Sequence, residues 1–159
     1  MNKENKYNKV IKILESTLPS TPPLSAQAKM SLMAAILHSE FKHWLFCGFY
    51  VKTKPDLLEI GPYQGHVLAC SHIKFGKGVC GNVAKEERTI IVDNVLEFPG
   101  YISCDPKTRS EIVVPVFHNG HLIAVLDIDS PNLSDFDETD GDMDSSDFMQ
   151  EIMNNMEIL

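Results

Sequence analysis

Residues 112–128 constrain the fold more than any other stretch of the chain. Ile112–Phe117 and Leu122–Ile128 are two apolar, β-branched runs joined through Asn119-Gly120. Asn-Gly suits a type I′ turn, whose two central residues both need positive φ, so the segment reads as a tight antiparallel hairpin. A two-residue loop also fixes the register. If the ladder is regular, Leu122 faces Phe117 and Ile128 faces Glu111.

The other elements arrange themselves around that hairpin. Residues 5–17 place Val10, Ile11, Ile13 and Leu14 at helical spacing, and a longer helix is expected from about Ser25 to His38 beyond the connector Thr21-Pro22-Pro23. Strands are expected at Trp44–Val51, Leu57–Ile60, Val67–Ile73 and Thr89–Val92, with Gly61–Gly65 as a loop and a short helix at Asn82–Glu87. An acidic linker at 132–145 leads to a terminal helix at about 146–159. Strands in the middle and helices at both ends give an α+β chain with an antiparallel sheet, organised as a single domain over residues 1–159: helices at 1–42, sheet and loops at 44–131. The chain is 159 residues long and 43% apolar, enough for a real core.

Charge excludes some functions. The formal net charge is −8, which argues against tracking nucleic-acid phosphates. Seven acidic residues fall between Asp135 and Asp147, so the rest of the chain is nearly neutral. No secretory signal or membrane-length apolar run is present, and a cytoplasmic location with no membrane partner is expected. In that compartment cysteines point to catalysis or redox chemistry rather than to structural disulfides.

Several motifs have plainer readings. Gly76-x-Gly78-x-x-Gly81 matches a dinucleotide fingerprint, but the helix after it is too short for a parallel crossover, so it reads as a glycine-shaped loop. The run Asp137–Asp144 resembles a calcium loop, yet aligning Gly141 to the turn position puts Phe136 at the first ligand; a solvated linker is expected. His66, Cys70, His72 and Cys80 cluster without a Cys-x-x-Cys knuckle, so neither a metal nor any other cofactor is expected.

Thiol chemistry is the stronger lead. Cys70, Cys80 and Cys104 sit in turn-rich polar sequence, whereas Cys47 lies in an apolar strand and reads as packing. Asp105-Pro106 after Cys104 is a helix-start signature, and a helix N-terminus would stabilise a thiolate there, with Lys107 and Arg109 adding positive potential if they fold back. Cys70 and Cys80 are candidate resolving thiols.

The runs Gly61–Gly65, Ala69-Cys70, Phe75–Gly81, Asp93–Val95, Phe98–Asp105, Arg109–Pro115 and Val125–Pro131 resemble the GAF-domain free methionine-(R)-sulfoxide reductases. The resemblance is dense over about residues 44–138. It implies a GAF-like fold, a central antiparallel sheet of about five or six strands flanked by helices. It further implies an oxidoreductase that reduces free methionine-R-sulfoxide, with Cys104 as nucleophile, Cys70 as first resolving partner, Cys80 able to take over the disulfide, and thioredoxin as external reductant. Glu111, Asp127 and Asp129 match the family's substrate-binding acids, and an aromatic wall of Trp44 and Tyr50 would accept the methyl group. A homodimer is compatible with it. The alternatives are a non-catalytic GAF sensor of a small molecule, or a zinc-binding or thiol redox switch.

Two positions do not transfer directly. Three residues separate Trp44 from Gly48-Phe49-Tyr50 where the family has one, so either a bulge returns Trp44 to the pocket or Phe46 replaces it. A regular hairpin would also put Ile128, not an acid, opposite Glu111. Glu111 must therefore lie beyond the regular ladder, or a bulge near Pro115 must shift the register.

Overall fold

The computed structural model describes residues 2–18 and 21–141. Helix α1 (Lys3–Thr17) opens on Asn2, whose side chain accepts from the Asn5 amide at 2.9 Å. Helix α2 (Ala26–Glu40) opens on Ser25 in the same manner, at 3.2 Å from the Ala28 amide. Both caps satisfy amides that the helix itself leaves unpaired. Six strands follow: β1 (Phe46–Lys54), β2 (Leu57–Gly65), β3 (His72–Lys74), β4 (Ile90–Val92), β5 (Ser110–His118) and β6 (His121–Ser130), with α3 (Gly78–Glu86) between β3 and β4. They form one antiparallel sheet in the order β3-β2-β1-β6-β5-β4.

The sheet is covered on both faces. On one side α1 and α2 bring Tyr7, Val10, Leu14, Met30, Met33 and Leu37 onto Cys47, Phe49, Ile112, Val114, Leu126 and Ile128. On the other, α3 lays Val79, Cys80, Val83 and Ala84 over Phe46, Tyr50, Val113, Val125 and Leu122. Alternation along each strand sorts these side chains, so a one-residue change of register would exchange the two sets.

Such a change does occur, and it is built in. Phe117 pairs with Leu122 as a regular two-residue turn requires, but Val116 pairs with Ala124, which leaves Ile123 as an extra residue. Leu122 packs on the α3 side, while Ile123 and Ala124 both pack on the α1–α2 side. This bulge resolves the register question: Glu111 faces Asp129, and Val113 faces Asp127. β4 pairs with β5 only over Glu111–Val113, so Pro115 lies beyond that ladder and has a strand neighbour on one side only, β6.

Four expectations need correction. Gly61–Gly65 is not a loop but the end of β2, where the register with β1 shifts between Gly48 and Tyr50 and absorbs Gly61-Pro62. The expected strand from Val67 shrinks to His72–Lys74, and the expected helix at Asn82 begins instead at Gly78. The acidic linker is not wholly solvated either. Asp140 is 1% exposed and accepts from the Tyr7 hydroxyl at 2.6 Å and from Lys3 Nζ at 2.5 Å, fastening this segment to α1. The terminal helix expected near 146–159 lies outside the described residues.

Gly48 joins the fold to what it positions. A Cβ built there would overlap the Tyr63 side chain and press on Phe46. Gly48→Ala should therefore cost about 2–3 kcal/mol by overpacking and lower Tm by about 5–10 °C, as read by thermal denaturation.

Candidate active site

The pocket opens on the α3 face, where β1, β6 and β5 lie side by side. Phe46 and Tyr50 come from β1, Asp127 and Asp129 from β6, Glu111 from β5 and Cys80 from α3; Tyr101 and Cys104 close it from the connection before β5. Strand pairing explains the convergence, since Phe46 and Glu111 both lie opposite Asp129 and Gly48 lies opposite Asp127. The bulge at Ile123 puts all three acids on one face. Without it Glu111 would face an isoleucine.

The three carboxyl groups are buried, at 5%, 7% and 8% exposure for Glu111, Asp127 and Asp129. Among the described residues no lysine, arginine or histidine forms an ion pair with any of them. Burial disfavours their charged forms, and each crowds the others. Glu111 is pushed well above the usual carboxylate range by burial, then by the charges of Asp127 and Asp129. Asp129 is pushed up by burial and then by Asp127 and Asp105. Asp127 rises only to about 6, because hydrogen bonds from Glu111 and Cys80 offset part of the effect of burial. Those two hydrogen bonds favour the ionised form of Asp127. Its Oδ1 is buried and has no hydrogen-bond partner among the described residues, an acceptor left unused in the protein.

Cys70 and Cys104 are joined in a disulfide with their Cα atoms 6.3 Å apart. Cys104 lines the pocket and Cys70 lies outside its lining. In this state the pocket is a cavity of only about 30 Å³, room for a water molecule or an ion. Cys80 remains a free, buried thiol. Burial, and then the charges of Asp127, Glu111 and Asp129, hold its pKa well above the ordinary value. Cys47 is buried among core residues on the opposite face, as its sequence context implies.

The structure rearranges part of the expected site. Trp44 is not in the pocket. It stacks on Phe41, with ring centroids 4.1 Å apart and planes 1° from parallel, in the α1–α2 core, because the chain enters β1 only at Phe46. Phe46 takes the wall position and stacks on Tyr63 at 5.3 Å. The helix expected after Cys104 is a single turn: Asp105 Oδ1 accepts from the Lys107 amide at 2.8 Å, and β5 begins at Ser110. No helix dipole therefore stabilises Cys104. The Arg109 guanidinium donates to the Pro106 and Thr108 carbonyls. Tyr101 lines the pocket and was not expected there from the sequence; only its place three residues before Cys104 hints at it.

As for metals, the histidines and cysteines that lie close together in sequence do not form one group, since Cys70 is in the disulfide and His72 is exposed on β3. One other group of ligating atoms does converge. Cys80 Sγ and a carboxylate oxygen from each of Glu111 and Asp127 lie within 4.8 Å of one another. No helix among the described residues is long and apolar enough to cross a membrane.

Several known proteins resemble this chain in sequence and fold. The GAF domain family model matches residues 30–144. The free methionine-R-sulfoxide reductase of Escherichia coli is 35% identical over 113 residues, 71% of this chain and 67% of that protein. The Saccharomyces cerevisiae protein of the same name is 47% identical over 98 residues, 60% of this chain and 54% of that one. Among solved structures, the Neisseria meningitidis free methionine-R-sulfoxide reductase in complex with its substrate superposes with a TM-score of 0.87 at 37% identity, covering 99% of this chain and 89% of that one.

The acid cluster makes stability depend on pH. A carboxyl whose pKa is higher folded than unfolded binds more protons in the folded state, so its stabilisation is complete below about pH 4 and is lost as pH rises through the folded value. For Asp127 that window runs from about 4 to about 6, and for Glu111 and Asp129 it extends higher. Asp129→Asn should therefore gain stability over the wild type between pH 5 and pH 7.5 by about 1–3 kcal/mol, measured as the change in the urea-unfolding difference between the two proteins.

Proposed function

The chain belongs to the GAF-domain family and, within it, to the free methionine-R-sulfoxide reductases, and from that premise we propose that it reduces free L-methionine-R-sulfoxide to methionine at the pocket of Cys104 and the three acids. The observation that carries this reading is the placement of a disulfide-bonded cysteine, Cys104, and a buried carboxyl cluster in one small cavity.

The acids serve the amino-acid end of the substrate. Asp127, with its unpartnered Oδ1, accepts from the α-ammonium, whose charge offsets the cost of burying a carboxylate. A peptide-bound residue has no such ammonium and leaves Asp127 without that compensation. A protonated carboxyl, Glu111 or Asp129, donates to the sulfoxide oxygen. Phe46 and Tyr50 give the apolar wall for the methyl group, and Trp44 has no part in it.

In the chemical step the Cys104 thiolate attacks the sulfoxide sulfur. The oxygen, protonated by the carboxyl, passes to Cys104 as a sulfenic acid and methionine leaves. The Cys70 thiol then displaces water, forming the Cys70–Cys104 disulfide. A dithiol reductant of the thioredoxin class returns two electrons and two protons by exchange, leaving both cysteines as thiols. Cys80 is a weak candidate for the relay role because its thiol is buried and held protonated, and we assign recycling to Cys70. The small cavity of the disulfide state implies that substrate enters only after reduction parts the two cysteines.

With dithiothreitol and free methionine-R-sulfoxide, the wild type should form methionine, and Cys104→Ser should lose at least about a thousandfold in rate, as expected for removal of a covalent nucleophile. The S epimer and an N-acetylated substrate should turn over at least about a hundredfold more slowly, the latter because Asp127 is left unpaired. Methionine release by Cys104→Ser at the wild-type rate would refute the assignment.

A further inference from the structure

Cys80 is a buried thiol that the proposed chemistry does not use, yet it faces the most negative point of the pocket. Its S–H donates to Asp127, and Glu111 donates to the same carboxylate. The three ligating atoms lie within 4.8 Å of one another on three rigid elements, α3, β5 and β6. Around a zinc ion, with bonds of roughly 2.0–2.3 Å, tetrahedral ligands stand about 3.3–3.8 Å apart. Rotamer adjustments of about an ångström would therefore suffice.

Two further observations point to a ligand. Asp127 lines the cavity, is 7% exposed, and keeps one carboxylate oxygen, Oδ1, buried without a hydrogen-bond partner among the described residues. The cavity in the disulfide state measures about 30 Å³, which admits an ion but not a methionine sulfoxide.

We propose that, with Cys70 and Cys104 disulfide-bonded, Cys80, Glu111 and Asp127 form a binding site for a divalent cation of borderline or soft character, Zn²⁺ being the biological representative. Thiolate and carboxylate ligands together favour such an ion over Mg²⁺ or Ca²⁺, which prefer oxygen alone. Binding is an exchange of cations: the ion takes the site, and the Cys80 thiol proton and the protons shared by the carboxyls are released to solvent. Asp129, on the same wall, offers further negative charge. An ion there would occupy the place proposed for the substrate ammonium and hold the oxidised protein out of the cycle. The binding itself does not depend on the sulfoxide reading.

Anaerobic titration of the disulfide-form protein with Co²⁺ tests this, because Cys80 and Cys47 are then the free thiols. The expected result is a sulfur-to-cobalt charge-transfer band that saturates at about one ion per chain, is abolished by Zn²⁺, strengthens with pH and is accompanied by proton release. Cys80→Ser should remove the band, Asp127→Asn should weaken binding at least about tenfold, and Cys47→Ser should change neither. No thiolate band in the wild type overturns the proposal, a result independent of whether any variant folds. So does a band that survives in Cys80→Ser, or one that Mg²⁺ displaces as readily as Zn²⁺.

Discussion

Three carboxyl groups buried on one face of a sheet, with no basic ion-pair partner among the described residues, are the constraint from which the rest of this structure follows. A chain that places Glu111 directly opposite Asp129 and sets Asp127 on the same face must keep protons there or supply a cation. The resting protein does the former. Burial raises all three groups, and the hydrogen bonds that Glu111 and Cys80 donate offset part of that rise at Asp127. The same arrangement provides what a sulfoxide of a free amino acid needs, an acceptor for an ammonium beside a donor for an oxygen. Stability is surrendered at the place where binding and proton transfer are required.

The oxidation state of the cysteines sets how much of that site is usable. With Cys104 at the pocket wall and bonded to Cys70, the space above the acids is about the size of an ion. The buried protons, the proposed cation and the disulfide therefore share one small volume. Cys80 stands at the junction, since its thiol is part of the hydrogen-bonded floor rather than of the disulfide. Its sequence context, a glycine-rich loop, suggested a mobile relay. The fold instead makes that segment the first turns of α3, where Gly81 packs so closely on the Lys74 carbonyl that a side chain would collide with it.

The sequence carried the frame of this fold because the frame rests on local patterns. Asn119-Gly120, the alternating strands and the capping residues Asn2 and Ser25 each act over a few residues. The bulge was legible only by contradiction, as a register that could not bring Glu111 to an acid; its location at Ile123 depends on packing against the α1–α2 layer, which no local pattern encodes. Trp44 shows the converse. It precedes β1 by two residues and is claimed by Phe41 and Phe136 in the helical core, so its aromatic character was read correctly and its destination was not. Asp105-Pro106 carries a true helix-start pattern, but only Lys107, Thr108 and Arg109 separate it from β5, too few for a helix to grow. Tyr101 reaches the pocket from an irregular connection, where pattern reading has no purchase.

A single turnover without external reductant tests the central claim most directly. Fully reduced protein mixed with excess free methionine-R-sulfoxide should release about one methionine per chain and stop. Peptide mapping should then find the Cys70–Cys104 disulfide, with Cys80 still alkylatable after unfolding. Release of no methionine would contradict the account, and so would a product disulfide that joins Cys80 and leaves Cys70 free.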